Sequence, residues 1–182
     1  MSRPNKLPSR RILSLLSAMT MLLLLNSCGD YRSAETCAES IPRGEKGRFV
    51  VNNEGFARDS ESDVVWYRCS AGQRYSNFRC KGEILYLNWE DAMDYAVEFS
   101  EKSGITWRLP TDSEMQSVTE DSCVAPAMNH NVFPEIAVSN HWTSSRTLHQ
   151  DVFRCAVNTY SGRLSCRQAR KVAQPFMLVR DE

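Results

Sequence analysis

The chain has 182 residues, 42% of them hydrophobic, and balances 22 Lys and Arg against 22 Asp and Glu. The balance is uneven: the first 27 residues hold four of the cations and no acid, which leaves the other 155 residues at 18 against 22, a net charge of −4 with histidine neutral. A chain of that size can form one domain with its own core, and its acid excess argues against nucleic acid as a partner.

The N-terminal residues read as an export signal. Arg3, Lys6, Arg10 and Arg11 precede an apolar run of 14 residues from Ile12 to Leu25. A positive head before a short apolar core is the secretory pattern, and the run falls short of the roughly 20 residues that a spanning helix needs. It ends in Leu25-Asn26-Ser27-Cys28, which resembles the lipobox of bacterial lipoproteins. Residues 1–27 are therefore expected to be removed, with Cys28 lipidated as the new N-terminus. Gly29 stands where an inner-membrane retention signal carries aspartate, and Asp30 comes one residue too late, so outer-membrane attachment is expected. Each buried methylene of an acyl chain contributes about 0.8 kcal/mol, so several chains hold a domain on a bilayer without a spanning helix.

Six further cysteines remain, Cys37, Cys69, Cys80, Cys123, Cys155 and Cys166. An even count in an oxidising compartment points to disulfides, although six cysteines allow fifteen connectivities. Cys69 and Cys80 look like one local pair. Cys155 and Cys166 look like another, bracketing a Ser161-Gly162 hairpin signal. That leaves Cys37 for Cys123. A zinc site is disfavoured, since there is no C-x-x-C pair and only three histidines are present.

Residues 28–47 are polar, with Pro42, Gly44 and Gly47, and read as a tether ahead of a domain over 48–182. "RFVV" at 48–51 and "DVVWYRC" at 63–69 read as strands, being rich in β-branched and aromatic residues. Asn88 is a good N-cap, and Trp89, Ala92, Met93, Ala96, Val97 and Phe99 recur at helical spacing until Gly104 offers a stop. Ile105–Leu109 reads as a strand, and Thr111 with Glu114 fits a capping box opening the next helix. Trp107, Arg108, Leu109 and Pro110 then form a strand-to-helix corner: Trp107 and Leu109 face the core, Pro110 lies just outside the helix, and Arg108 points away toward an acid of a neighbouring helix.

Taken in order, "RFV", "VVWYRCSAGQRYSNFRCKGE", "LNWEDAMDYA", "WRLPTDSEMQSV", "SCVAPAMNHNVFP", "HWTSS" and "FMLVRD" resemble the Lcl C-terminal domain family over about Arg48 to Arg180. Two departures stand out: His141 precedes Trp142 where an aromatic is more usual, and "DSESDV" replaces a "DNATGL"-like turn. The resemblance implies an α+β, C-type-lectin-like fold, also similar to formylglycine-generating enzymes, with two helices packed on a twisted antiparallel sheet and stabilised by disulfides. In that frame Trp142 is a structural residue. The resemblance also implies surface display, and a member that trimerises and binds sulfated glycans; a homo-oligomer would rest on the resemblance alone.

Fold does not carry function by itself, so the residues decide. The calcium-site sequences of C-type lectins, "EPN" or "QPD" followed by "WND", are absent, and "HWTSS" occupies the corresponding place. His130, His141 and His149 lie in no nucleophile motif, and the cysteines look consumed in disulfides, so a non-enzymatic protein without metal or cofactor is expected. Charge supplies the one lead. From Lys81 to Asn140 there are 11 acids and 3 bases, whereas from His141 to Arg180 there are 7 bases and one acid, Asp151. Arg146, Arg154, Arg163, Arg167, Arg170 and Lys171, with Arg180, could form a face for an acidic glycan or polysaccharide, arginine gripping sulfate or carboxylate through paired hydrogen bonds. The other reading is an accessory lipoprotein docked on an envelope protein, whose signature would be Phe153, Tyr160 and Phe176 in one exposed apolar patch.

Overall fold

The computed structural model describes residues 34–147, 149 and 151–182. The expected signal sequence, residues 1–27, and Cys28 lie outside the described residues. Within them the order of elements is α1 (Cys37–Ser40), β1 (Phe49–Val51), β2 (Phe56–Asp59), β3 (Val64–Tyr67), β4 (Arg74–Ser76), β5 (Arg79–Lys81), α2 (Trp89–Ser103), α3 (Asp112–Ser117), β6 (Asn140–Arg146), β7 (Phe153–Asn158), β8 (Arg163–Ala169) and β9 (Val179–Asp181). The fold is α+β. Its strands form three antiparallel sheets in place of the single expected one: β1-β2-β3-β9, the β4-β5 hairpin, and β6-β7-β8. Among the described residues two helices exceed one turn, and α1 is a single turn.

Both longer helices start and stop where side-chain chemistry dictates. Asn88 Oδ1 accepts from the Asp91 amide at 3.1 Å, and Gly104 ends α2 in the left-handed region, where a Cβ would be strained. Thr111 and Glu114 form the full reciprocal box, Oγ1 accepting from the Glu114 amide at 3.1 Å and the carboxylate accepting from the Thr111 amide at 2.6 Å.

Two apolar clusters make the core. One gathers Trp66, Met115, Met128, Phe133, Val157, Met177 and Val179; the other gathers Trp89, Ala92, Ala96, Trp107, Leu109, Trp142, Phe176 and Leu178. The segment Phe176–Val179 contributes alternate residues to each, as strand periodicity requires. Its last residue enters β9, which pairs with β3, so the C-terminal strand closes the first sheet.

Ile105–Leu109 is not a strand. It makes one bridge, Arg108 to Val179, through two backbone bonds of 2.9 Å. The amide of Trp107 goes instead to Ser100 Oγ at 2.7 Å, and Pro110 has no amide to give, so no ladder can extend either way. Trp107 and Leu109 nevertheless enter the core, 4% and 0% exposed, and Arg108 turns to Glu114 on α3.

Residues 34–47, expected as a tether, are fastened to the domain. Cys37 is buried and bonded to Cys123, and the backbone of Glu35 and Cys37 exchanges 3.0 Å hydrogen bonds with Val124. Asn131 clasps the following turn: its Oδ1 accepts from the Gly44 amide, and its Nδ2 donates to the carbonyls of Pro42 and Glu45, each at 3.0 Å. The other disulfides are Cys69–Cys80 and Cys155–Cys166.

Candidate functional site

The seven basic residues expected to form one face do not share a single surface: Arg180 lies on β9, in the sheet of β1, β2 and β3. The β7-β8 hairpin pairs Asn158 with Arg163 at its turn end and Phe153 with Ala169 at its open end, so Arg163 stands apart from the others. At the open end the cations divide again, into a set gathered around one carboxylate and a pair that lines a groove.

The first set meets Glu90, in the first turn of α2. Arg170 Nη1 lies 3.0 Å from Glu90 Oε1, Lys171 Nζ lies 3.7 Å from Oε2, and Arg154 Nη2 lies 3.8 Å from Oε1. Arg154 is buried, with its guanidinium 4.2 Å from the centre of the Trp89 ring. Burial lowers the Arg154 pKa from its ordinary value; Glu90 opposes that shift, and the nearby cations Arg170 and Arg146 add to it. The ring beneath is fixed by Trp89 Nε1 donating to the Thr143 carbonyl at 2.8 Å.

Arg146 and Arg167 belong to the second set. With Thr147, His149, Phe153 and Cys166 they line an open groove of about 840 Å3. Arg146 ends β6 and faces Arg154 across the ladder, Phe153 begins β7, and Cys166 and Arg167 come from β8. The half-buried Phe153 ring and the Cys155–Cys166 disulfide supply apolar wall, while two guanidinium groups and an imidazole supply donors. No carboxylate stands among the described lining residues.

The nearest acid to that disulfide is Asp112. Its carboxylate and the two sulfurs of Cys155 and Cys166 lie within 4.8 Å of one another, the one such grouping of ligand-type atoms among the described residues. Both sulfurs are spent in the disulfide, and Asp112 Oδ1 accepts from Ser145 Oγ at 2.8 Å and from the Ser113 amide at 2.9 Å. That geometry serves the start of α3 and leaves one carboxylate where a cation would need several ligands.

The apolar patch expected of a protein-docking surface does not come together: Phe176 is 0% exposed in the core, Tyr160 is 51% exposed, and Phe153 sits in the groove. Trp142 is a core residue, as expected, with Nε1 donating to the Leu87 carbonyl at 2.9 Å. His141 is wholly buried on β6.

Sequence reasoning missed Arg68. It is buried in the "WYRC" strand end and donates to the carbonyls of Val132 at 2.7 Å, Asn131 at 3.0 Å and Asn52 at 3.3 Å, and to the Tyr75 hydroxyl at 2.6 Å. Burial lowers its pKa from the ordinary value and Tyr75 opposes the shift. A lone arginine after four β-prone residues carries no sign of such a role; only the loops folded around it do.

The Lcl C-terminal domain family matches residues 55–180. The chain belongs to that family. No curated protein and no solved structure matches it.

Proposed function

From its membership of the Lcl C-terminal domain family and from the groove, we propose that this protein is an exported bacterial lipoprotein that binds acidic or sulfated polysaccharide. It is non-enzymatic, anchored through Cys28 to the outer membrane, and carries its ligand site on a C-type-lectin-like domain. The supporting observation is that Arg146, Arg167 and Phe153 line one open groove without a carboxylate among its described lining residues. Guanidinium groups take sulfate or carboxylate through paired, charge-assisted bonds, and an aromatic ring in the same groove takes the apolar face of a sugar. Arg170 and Lys171, held on Glu90, contribute field more than direct contact.

The test is capture of the chain from residue 29, disulfides intact, on dextran sulfate and on uncharged dextran at low and physiological salt. Binding to the sulfated polymer that weakens with salt, and is lost in the Arg146→Ala, Arg167→Ala double variant, is the expected result. Unchanged capture by that variant would remove the groove from the reading. No capture on any acidic glycan would turn the search to an envelope protein as the partner.

A further inference from the structure

A second surface, built from none of the groove's residues, presents an aromatic ring in an unusual way. Tyr75 pairs with Cys80 and Ser76 with Arg79, so Asn77 and Phe78 form a two-residue hairpin turn. Both are left-handed, with φ of 53° and 62°. Such a turn suits Asn followed by Gly, and a bulky side chain in the second place is strained. Phe78 occupies it all the same, with 74% of its surface exposed. The ring buries little and strains its own backbone, so the fold gains nothing from it.

The hairpin that holds the ring is rigid. The Cys69–Cys80 disulfide anchors one strand, and Glu135 accepts from the Cys80 amide at 2.9 Å while pairing with Arg79. Tyr75 is clamped beneath by the Arg68 guanidinium, 4.4 Å from its ring centre. Gly55 packs so closely on Tyr75 that a Cβ there would lie 2.5 Å from Tyr75 Cβ. A ring held in this way meets a ligand without first losing conformational freedom.

Clefts of about 290 and 250 Å3 flank the ring, and Phe78 and Asn53 line both. Neither contains a carboxylate among its described lining. The charged groups there are Lys46 and Arg68, and Arg68 already donates to four acceptors. The side chains of Asn53 and Asn77 make no hydrogen bond among the described residues, and His130 Nδ1 is buried without a partner. Amides and an imidazole both donate and accept, which is what sugar hydroxyls require.

We propose that Phe78 is the stacking platform of a second binding site, for uncharged sugar rings, with the two clefts taking neighbouring units of the same polysaccharide chain. The C–H face of a pyranose lies on the ring and its hydroxyl edge meets Asn53, Asn77 and His130. A protein partner or a lipid surface would call for a broader apolar area than one ring set among amides. The site stands on its own observations and does not depend on the groove.

The full chain, purified in detergent, would be tested for retention on cellulose, amylose and mannan at low and high salt. The expected result is retention on at least one of them, little changed by salt, weakened tenfold or more by Phe78→Gly and unaffected by the Arg146→Ala, Arg167→Ala double variant. Phe78→Gly relieves the turn and should raise the unfolding midpoint, so lost binding in a more stable protein separates the site from folding. Phe78→Trp should keep the affinity. Retention on none of the three polymers, or retention unchanged in Phe78→Gly, overturns the proposal; so does Phe78-dependent sedimentation with phosphatidylglycerol vesicles in the absence of any sugar effect.

Discussion

Arg108 closes on Glu114 through two parallel hydrogen bonds, Nη1 to Oε2 and Nη2 to Oε1, each 2.8 Å. A third, from Nη2 to Asp181 Oδ1 at 2.6 Å, ties the same guanidinium to β9. One cation thus joins the corner before α3, the capping box that opens it and the C-terminal strand. The Arg108 pKa rises above its ordinary value, chiefly through the hydrogen bonds it donates to Glu114, with burial opposing. Burial raises the Glu114 pKa, but the bonds from Arg108 and the Thr111 amide outweigh it and hold the carboxyl below its usual value.

Arg108→Ala should therefore cost about 2–3 kcal/mol, because a half-buried carboxylate loses its bidentate partner. Arg108→Lys should recover only part of that, since an ammonium cannot make the parallel pair. Asp181→Ala, at a side chain 75% exposed, should change stability by no more than about 0.5 kcal/mol. Urea unfolding of the three variants would check this, and equal costs for Arg108→Ala and Asp181→Ala would show that the pair with Glu114 adds nothing.

His141 supplies a pH dependence whose sign is fixed by burial. Its ring is fully enclosed, with Nδ1 3.3 Å from the Ser139 carbonyl; burial lowers the pKa from 6.5 to about 4, against the effect of that bond. Between those values the unfolded chain binds a proton that the folded chain refuses, so stability is intact above pH 6.5 and falls as pH drops toward 4. The slope is about 1.4 kcal/mol per pH unit, or about 2 kcal/mol lost between pH 6.5 and 5. His141→Phe should abolish that part of the slope whatever it does to absolute stability. Unfolding midpoints of both proteins at pH 7, 6 and 5 give the comparison, and parallel slopes would refute the assignment.

What was legible in the sequence was what local chemistry decides. Asn88 and Gly104 bound α2, Thr111 and Glu114 open α3, and cysteine spacing paired all six described cysteines. What was not legible depends on which loops meet. Asn131 holds the segment read as a tether, and Glu90 draws in three cations counted as a free face, because neither pairing leaves a mark in the neighbouring residues. Arg146 and Arg167 were among the named residues, but the division between groove and ion cluster needed the register of β6, β7 and β8.

The disulfides should differ in what their loss costs. Cys37–Cys123 spans 86 residues and Cys69–Cys80 spans 11. By loop-closure entropy, replacing the first pair with serine should cost about 4–5 kcal/mol and the second about 3 kcal/mol. The first loss should also release residues 34–47, visible as new protease cleavage before Arg48 while the rest of the domain stays resistant. Equal costs, or cleavage spread across the domain, would argue that the bond acts on the native state and not on the unfolded chain.

Glu90 is the position at which stability and ligand affinity should move in opposite directions. Glu90→Gln keeps the shape of the side chain and removes the charge that faces Arg154, Arg170 and Lys171. Buried Arg154 then loses its nearest anion in this cluster, so the variant should be less stable by about 1–3 kcal/mol. Arg170 and Lys171 become available to an outside anion beside Arg146 and Arg167, so affinity for dextran sulfate should rise and its salt dependence steepen. If Arg170 and Lys171 face away from the bound polymer, stability falls while affinity and salt dependence stay at their original values. The cations on Glu90 would then be a structural anchor for α2 and not part of the binding surface.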